Sequence, residues 1–291
     1  MQGTVDGFSY GLVTPVTAFL LACLGAALGL RCTTRSLRTR GVYRAGWLAL
    51  AATSIGSGIW TMHFIAMLGF SVREAPVSYD RPLTYASLAV AVVMVGVGVF
   101  LVGYRGATRM ALVTGGTITG LGVASMHYLG MAGMNFEGVF EYDTLTVSLS
   151  VLIAVVAATA SLWAAVSIHG FLPSLGASVV MGVAVSGMHY TGMAALQVHL
   201  HPTTAPSPPG EAPASLLLPM MIGPGCFLLL AAVVVLVDPL VVTGDGRAGA
   251  ARLPGPAPRR GGPLSSIPVQ RRPAPTYESA SRRSYRDQRN R

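Results

Sequence analysis

Lysine is absent from this 291-residue chain, and charged residues of all kinds make up only 11% of it. Soluble domains carry about a quarter charged residues to keep their surfaces wet, so a water-soluble globular protein is excluded. Cysteine is scarce too. Of the three, Cys23 and Cys226 sit inside apolar runs and Cys32 at the end of one, an odd number that argues against a disulfide framework. The opening MQGTVDGFSYG lacks the positive n-region of a secretory signal, so the first apolar run is read as a retained helix. No nucleophile–base pair and no phosphate-cradling glycine loop stands out, and catalysis is not expected.

What the chain has is apolar length. Hydrophobic residues make up 52% of it, and its mean hydropathy is +0.58. Seven runs are long enough to cross about 30 Å of hydrocarbon: Tyr10 to Leu30, Ala45 to Phe70, Leu83 to Gly103, Ala111 to Met134, Leu145 to Ile168, Leu175 to Leu196 and Leu216 to Val237. The expected fold is all-α and polytopic, seven transmembrane helices built from repeated hairpins over residues 1–240. Residues 241–291 form a separate tail, rich in Pro, Gly, Ser and Arg, which buries too little apolar surface to offset its ordering entropy and is expected to be disordered.

Orientation follows from arginine in the short loops. Arg31, Arg35, Arg38, Arg40 and Arg44 surround the first connection and Arg105 and Arg109 the third, whereas Glu137, Glu141 and Asp143 mark the fourth. The first and third loops and the tail are therefore placed in the cytoplasm, with the N-terminus outside a bacterial plasma membrane. Residues 1–245 balance nine Arg against nine acids, so the tail carries the whole net charge of +9. Its Arg259-Arg260, Arg271-Arg272 and Arg282-Arg283 pairs read as an anchor beside anionic lipid. No aromatic residues interleave them in a nucleic-acid-binding pattern, and nucleic acid is not an expected partner.

Three of the runs end in one motif. Thr61 to Met67 reads TMHFIAM, Ser125 to Met131 SMHYLGM, and Gly187 to Met193 GMHYTGM. The histidines His63, His127 and His189 are 64 and 62 residues apart, one helical hairpin per repeat. Seven residues before each stands a glycine (Gly56, Gly120, Gly182). Small residues also stand five before (Gly58, Gly122, Ala184) and six after (Gly69, Gly133, Ala195), spacings that let helix backbones approach closely in lipid. Each histidine lies about seven residues inside the outer end of its run, roughly 10 Å deep. One returning helix separates each pair of motif helices, so the three run in the same direction, related by an axis along the membrane normal. Three histidines at one depth can converge on one site.

Helical geometry sorts the methionines. Met67, Met131 and Met193 follow their histidines by one turn, about 40° away on the same face, while Met62, Met126 and Met188 lie about 100° away toward a neighbouring helix. All nine side chains are candidate metal ligands. Imidazole with thioether suits copper, with sulfur favouring Cu(I); zinc fits less well because no carboxylate or cysteine repeats with the motif. Triplication of a plain packing motif, a copper or small-solute transporter, and haem held by two histidines are the alternatives. His199 and His201, beyond the sixth run, form an H-x-H in a wet loop or a point of metal capture.

These residues resemble the MHYT domain, a bacterial integral-membrane sensor module whose signature stands at Met188–Thr191. The resemblance covers about residues 10–240, and Tyr79-Asp80 matches the family's pattern after the second span. It implies copper held by Met and His residues and the sensing of oxygen, carbon monoxide or nitric oxide. Phe64 replaces the tyrosine found at Tyr128 and Tyr190, so a phenol is not required in every copy. Many family members carry a cytoplasmic cyclic-di-GMP cyclase or phosphodiesterase; here the output is expected to be missing or supplied by a separate cytoplasmic partner.

Overall fold

The computed structural model describes residues 5–6, 9–72, 77–136, 138–168, 170–200 and 213–237; the basic tail, His169 and His201 lie outside them. Seven helices are α1 (Val13–Leu37), α2 (Val42–Leu68), α3 (Arg81–Arg105), α4 (Arg109–Ala132), α5 (Thr144–Ser167), α6 (Phe171–Ala194) and α7 (Pro213–Val237). Each is about 36–40 Å long at 1.5 Å per residue. Six are apolar enough to cross a membrane. The exception, α4, is diluted by Gly115, Gly116, Thr117, Thr119, Gly120 and Gly122, and packs between α3 and α5. The chain is an all-α, multi-pass membrane protein.

Six short strands, unanticipated from sequence, join the helix ends: β1 (Val5–Asp6), β2 (Ser71–Val72), β3 (Ser78–Tyr79), β4 (Met134–Asn135), β5 (Gly138–Tyr142) and β6 (Leu196–Leu200). They pair antiparallel as β1–β2, β3–β4 and β5–β6. Each repeat is thus a β-α-α-β unit in which a two-stranded ribbon clasps the two ends of one helical hairpin. Three such units close into a ring because α6 packs back against α1; α7 lies outside it, against α2 and α1.

The small residues of the motif set this packing. A Cβ on Gly56 would stand 2.9 Å from the Cα of Val92 in α3, and one on Gly120 2.4 Å from the Cα of Val155 in α5. The equivalent Gly182 faces Cys23 and Phe19 of α1. The glycine seven before each histidine therefore faces the next helix around the ring. Five before, Gly58 abuts Gly25 of α1 and Gly122 abuts Met94 of α3, the preceding helix.

The residues six after each histidine have a different task from the packing expected of them. Gly69, Gly133 and Ala195 are helix C-caps, and their carbonyls accept the backbone N–H of Ser9, Asp80 and Asp143. Asp80 and Asp143 in turn cap α3 and α5, accepting from the N–H of Leu83 at 2.7 Å and of Thr146 at 2.8 Å. The motif helices consequently stop at Leu68, Ala132 and Ala194, and each histidine lies five residues, about 7.5 Å, below its helix end instead of the expected 10 Å. Of the apolar residues that made the runs look longer, Met134 and Leu196 belong to strands and Phe70 just precedes β2.

At the opposite end α1 continues through Arg31 and Arg35 to Leu37, past the Leu30 limit set by hydropathy. The hydroxyls of Thr33 and Thr34 donate to the carbonyls of Gly29 and Leu30, and Arg35 lies over the Trp47 ring at 5.7 Å. Gly41, at φ +66°, turns the chain into α2, a conformation a side chain would resist. Arg44 lies over the Tyr104 ring at 4.8 Å and donates to the Gly103 carbonyl.

Candidate metal centre

The three motif helices bring their histidines to the ring axis. Between His63 and His189, His127 and His63, and His189 and His127 the Nδ1 atoms are 3.1, 3.2 and 3.3 Å apart. The imidazoles stand nearly perpendicular to one another, at 82°, 79° and 90°, and each is 1% exposed. Among the described residues, these form the group of His, Cys, Asp and Glu side chains that could hold one ion.

A neutral imidazole has one N–H, on one of its two nitrogens. Three Nδ1 atoms in a triangle cannot all be satisfied by one another: with the protons on Nε2, three lone pairs face each other in a buried site. A cation bound among them would resolve that conflict. For sides averaging 3.2 Å the centre of the triangle is about 1.85 Å from each nitrogen, about 0.2 Å short of ordinary metal–imidazole bonds. The donor set therefore fits a small metal ion with trigonal nitrogen ligation.

The surroundings hold the rings in place. A Cβ on Gly130 would meet the Nε2 of His63 at 2.6 Å, and one on Gly192 the Nε2 of His127 at 2.5 Å. Both glycines stand three residues after a histidine, where α2 has Ala66. Two of the three histidines, His63 and His127, thus lie against the bare backbone of the next motif helix. Those two Nε2 atoms have no hydrogen-bond partner, a departure from metal sites whose histidines donate the second N–H to an oxygen.

Aromatic rings wall the triad. Phe64, Tyr128 and Tyr190, each next to its histidine, meet it edge-on at 4.6, 4.8 and 5.0 Å, so Phe64 fills this place without a phenol. Tyr128 is fixed by a 2.6 Å hydrogen bond with Ser150. Trp60 donates to Thr84 and Ser87 of α3 and packs on Phe64. From the ribbons, Tyr79 meets Phe64 edge-on and Tyr142 meets Tyr128 in the same way. Burial raises the pKa of Tyr79, and burial with neighbouring Tyr128 pushes Tyr142 up to about 12. The sequence shows these residues as repeated Tyr79-Asp80 and Tyr142-Asp143, of which only the first is singled out by the family pattern.

The methionines divide. Met67 and Met131 are buried in the main core, and Met193 packs half-buried against it. Met126 is buried in that core, Met62 lies with Ala18 and Ala22 of α1, and Met188 lines a cavity below the triad. His199 is on strand β6, not in a loop, 3.6 Å from Glu141 on β5, with both side chains exposed.

The fold and site define a class: a helical membrane protein with three equivalent histidines meeting at its axis. Residues 56–115 and 120–178 match the MHYT family, described as a bacterial signalling protein N-terminal repeat, and the chain belongs to that family. It is 40% identical over 197 residues to the bifunctional diguanylate cyclase/cyclic di-GMP phosphodiesterase MucR of Pseudomonas aeruginosa, covering 66% of this chain and 29% of that protein. The cyclic di-GMP phosphodiesterase NbdA of the same organism is 34% identical over 67% of this chain and 26% of its own length. The signaling protein YkoW of Bacillus subtilis is 30% identical over 66% and 24%. The chain thus spans less than a third of the length of these curated relatives. No solved structure matches it. A membrane sensor and signalling role follows from the family.

Proposed function

We propose that this chain is the sensory membrane module of a cyclic-di-GMP signalling system and holds one copper ion at the His63–His127–His189 triad. The observation that carries this reading is the meeting of three buried Nδ1 atoms within 3.3 Å. Three imidazoles with no anionic ligand suit Cu(I) better than zinc, whose structural sites close with a fourth donor. Met67, Met131 and Met193 are the thioethers placed to join the site if a ring gives way. Bound copper would supply a one-electron couple and a position for oxygen, carbon monoxide or nitric oxide. The triad ties together the three inner helices α2, α4 and α6, so any change in its preferred spacing bears on all three at once. They extend from the triad to the arginine-rich end, proposed to face the cytoplasm, where an output unit in the same polypeptide or a partner would read the shift. The names of MucR and NbdA point to cyclic di-GMP turnover as that output.

Metal analysis of the purified protein tests the centre. Wild type is expected to retain about one copper per chain and the His63→Ala/His127→Ala/His189→Ala variant almost none; equal copper in both would sink the assignment.

A further inference from the structure

Directly beneath the triad lies a cavity of about 40 Å³. One turn below each histidine, at Ile59, Val123 and Val185, and two turns below, at Ile55, Thr119 and Met181, all six equivalent positions line it. A cavity touched by both threefold layers is on the ring axis, in line with the three Nδ1 atoms. Around it Ala154, Ala158 and Leu162 of α5 form part of the wall, and Met188 reaches it from just beside His189.

The wall is apolar except at Thr119 and Ser161. A buried water needs two to four polar partners. These two hydroxyls, of which Thr119 Oγ1 has no hydrogen-bond partner, therefore suffice for one water at most, while the apolar remainder of the space suits an apolar guest. One water requires roughly 10–15 Å³, so this volume accommodates a guest of two or three heavy atoms. Access from the aqueous side is closed: the histidines are 1% exposed and the aromatic wall and ribbons lie over them. Such a guest would enter from the bilayer, where apolar solutes concentrate.

We infer that the axial cavity is a binding site for a small, uncharged, apolar molecule of diatomic size, drawn from the lipid and held one helical turn beneath the triad. Its use as a store from which a ligand reaches the metal rests on the copper reading above; the binding site itself does not.

Xenon is the probe, applied under pressure to the full chain in lipid nanodiscs with ¹³C-labelled Ile and Val methyl groups. Signals of Ile59, Val123 and Val185 are expected to move saturably with xenon pressure, while exposed Val180 drifts linearly as xenon partitions into lipid. Ala158→Phe, which fills the cavity, should abolish the saturable shift. Leu162→Ala, which enlarges it, should lower the pressure of half-saturation several-fold. Linear drift at all four residues in the wild type, or saturation unchanged in a folded Ala158→Phe, overturns the proposal. If Ala158→Phe does not fold, an unchanged half-saturation pressure in Leu162→Ala does so. Copper is measured on the same samples. Xenon binding without copper refutes the metal reading and leaves this site standing; copper without saturable xenon binding does the reverse.

Discussion

Between the imidazole of His63 and the α4 backbone there is no room for a methyl group, since a Cβ on Gly130 would stand 2.6 Å from Nε2. Gly130→Ala should raise helix propensity by about 1 kcal/mol while overpacking costs about 1–3 kcal/mol. The net change in thermal midpoint is expected to be small, because the ring can swing away. The triad is what suffers: copper affinity should fall about 10–100-fold, as for other losses of ligand support. Gly187→Ala, at a glycine with nothing within 4 Å of its would-be Cβ, should leave affinity unchanged, and a copper titration of both variants decides it. The histidines were legible because one motif recurs three times at fixed spacing. Gly130 and Gly192 were equally visible as small residues, but their contacts lie on a different helix hairpin, which no local pattern reports.

At the scale of the elements, the helices were legible and the ribbons were not. Strands of two residues are too short for alternation to show, which needs about four to eight residues; even the alternating β6, Leu196–Leu200, was read as the last residue of a helical run followed by a loop. What joins ribbon to helix is the cap, and Asp143 shows how it responds to acid. Its carboxylate accepts from the hydroxyl and the N–H of Thr146, and these bonds hold its pKa below the usual 3.8. A depressed carboxylate stabilises the fold at pH values above 3.8, and that contribution is lost as pH falls through its lowered value. Asp143→Ala should therefore unfold at a lower temperature than wild type near neutral pH. The difference should close as both are taken toward about pH 2. A gap that persists undiminished in acid would mean that the carboxylate's charge is not what fastens α5.

For the whole molecule, the threefold arrangement gives the two ends opposite characters. The ribbon end holds the triad with Asp80, Glu141 and Asp143 above it, while the other end holds Arg38, Arg40, Arg44, Arg105 and Arg109. Arginine beside short loops tends to be retained in the cytoplasm, which is the ground for proposing that the ribbon end faces outward. The closed ring was legible only in part: co-directional motif helices followed from hairpin spacing, but the return of α6 to α1 is a contact between distant segments that sequence periodicity does not encode. Orientation decides which compartment the proposed centre lies nearer, about 7.5 Å below one helix end. Single cysteines at exposed positions on the two ends test it. Glu141→Cys should react with a membrane-impermeant maleimide in intact cells, and Ala107→Cys, between α3 and α4, only after lysis. Wild type serves as the control, since Cys23, Cys32 and Cys226 all lie within helices. The opposite labelling pattern would place the triad at the cytoplasmic face, leaving the arginine end outside. The signal would then be an intracellular metal or redox state instead of an external one.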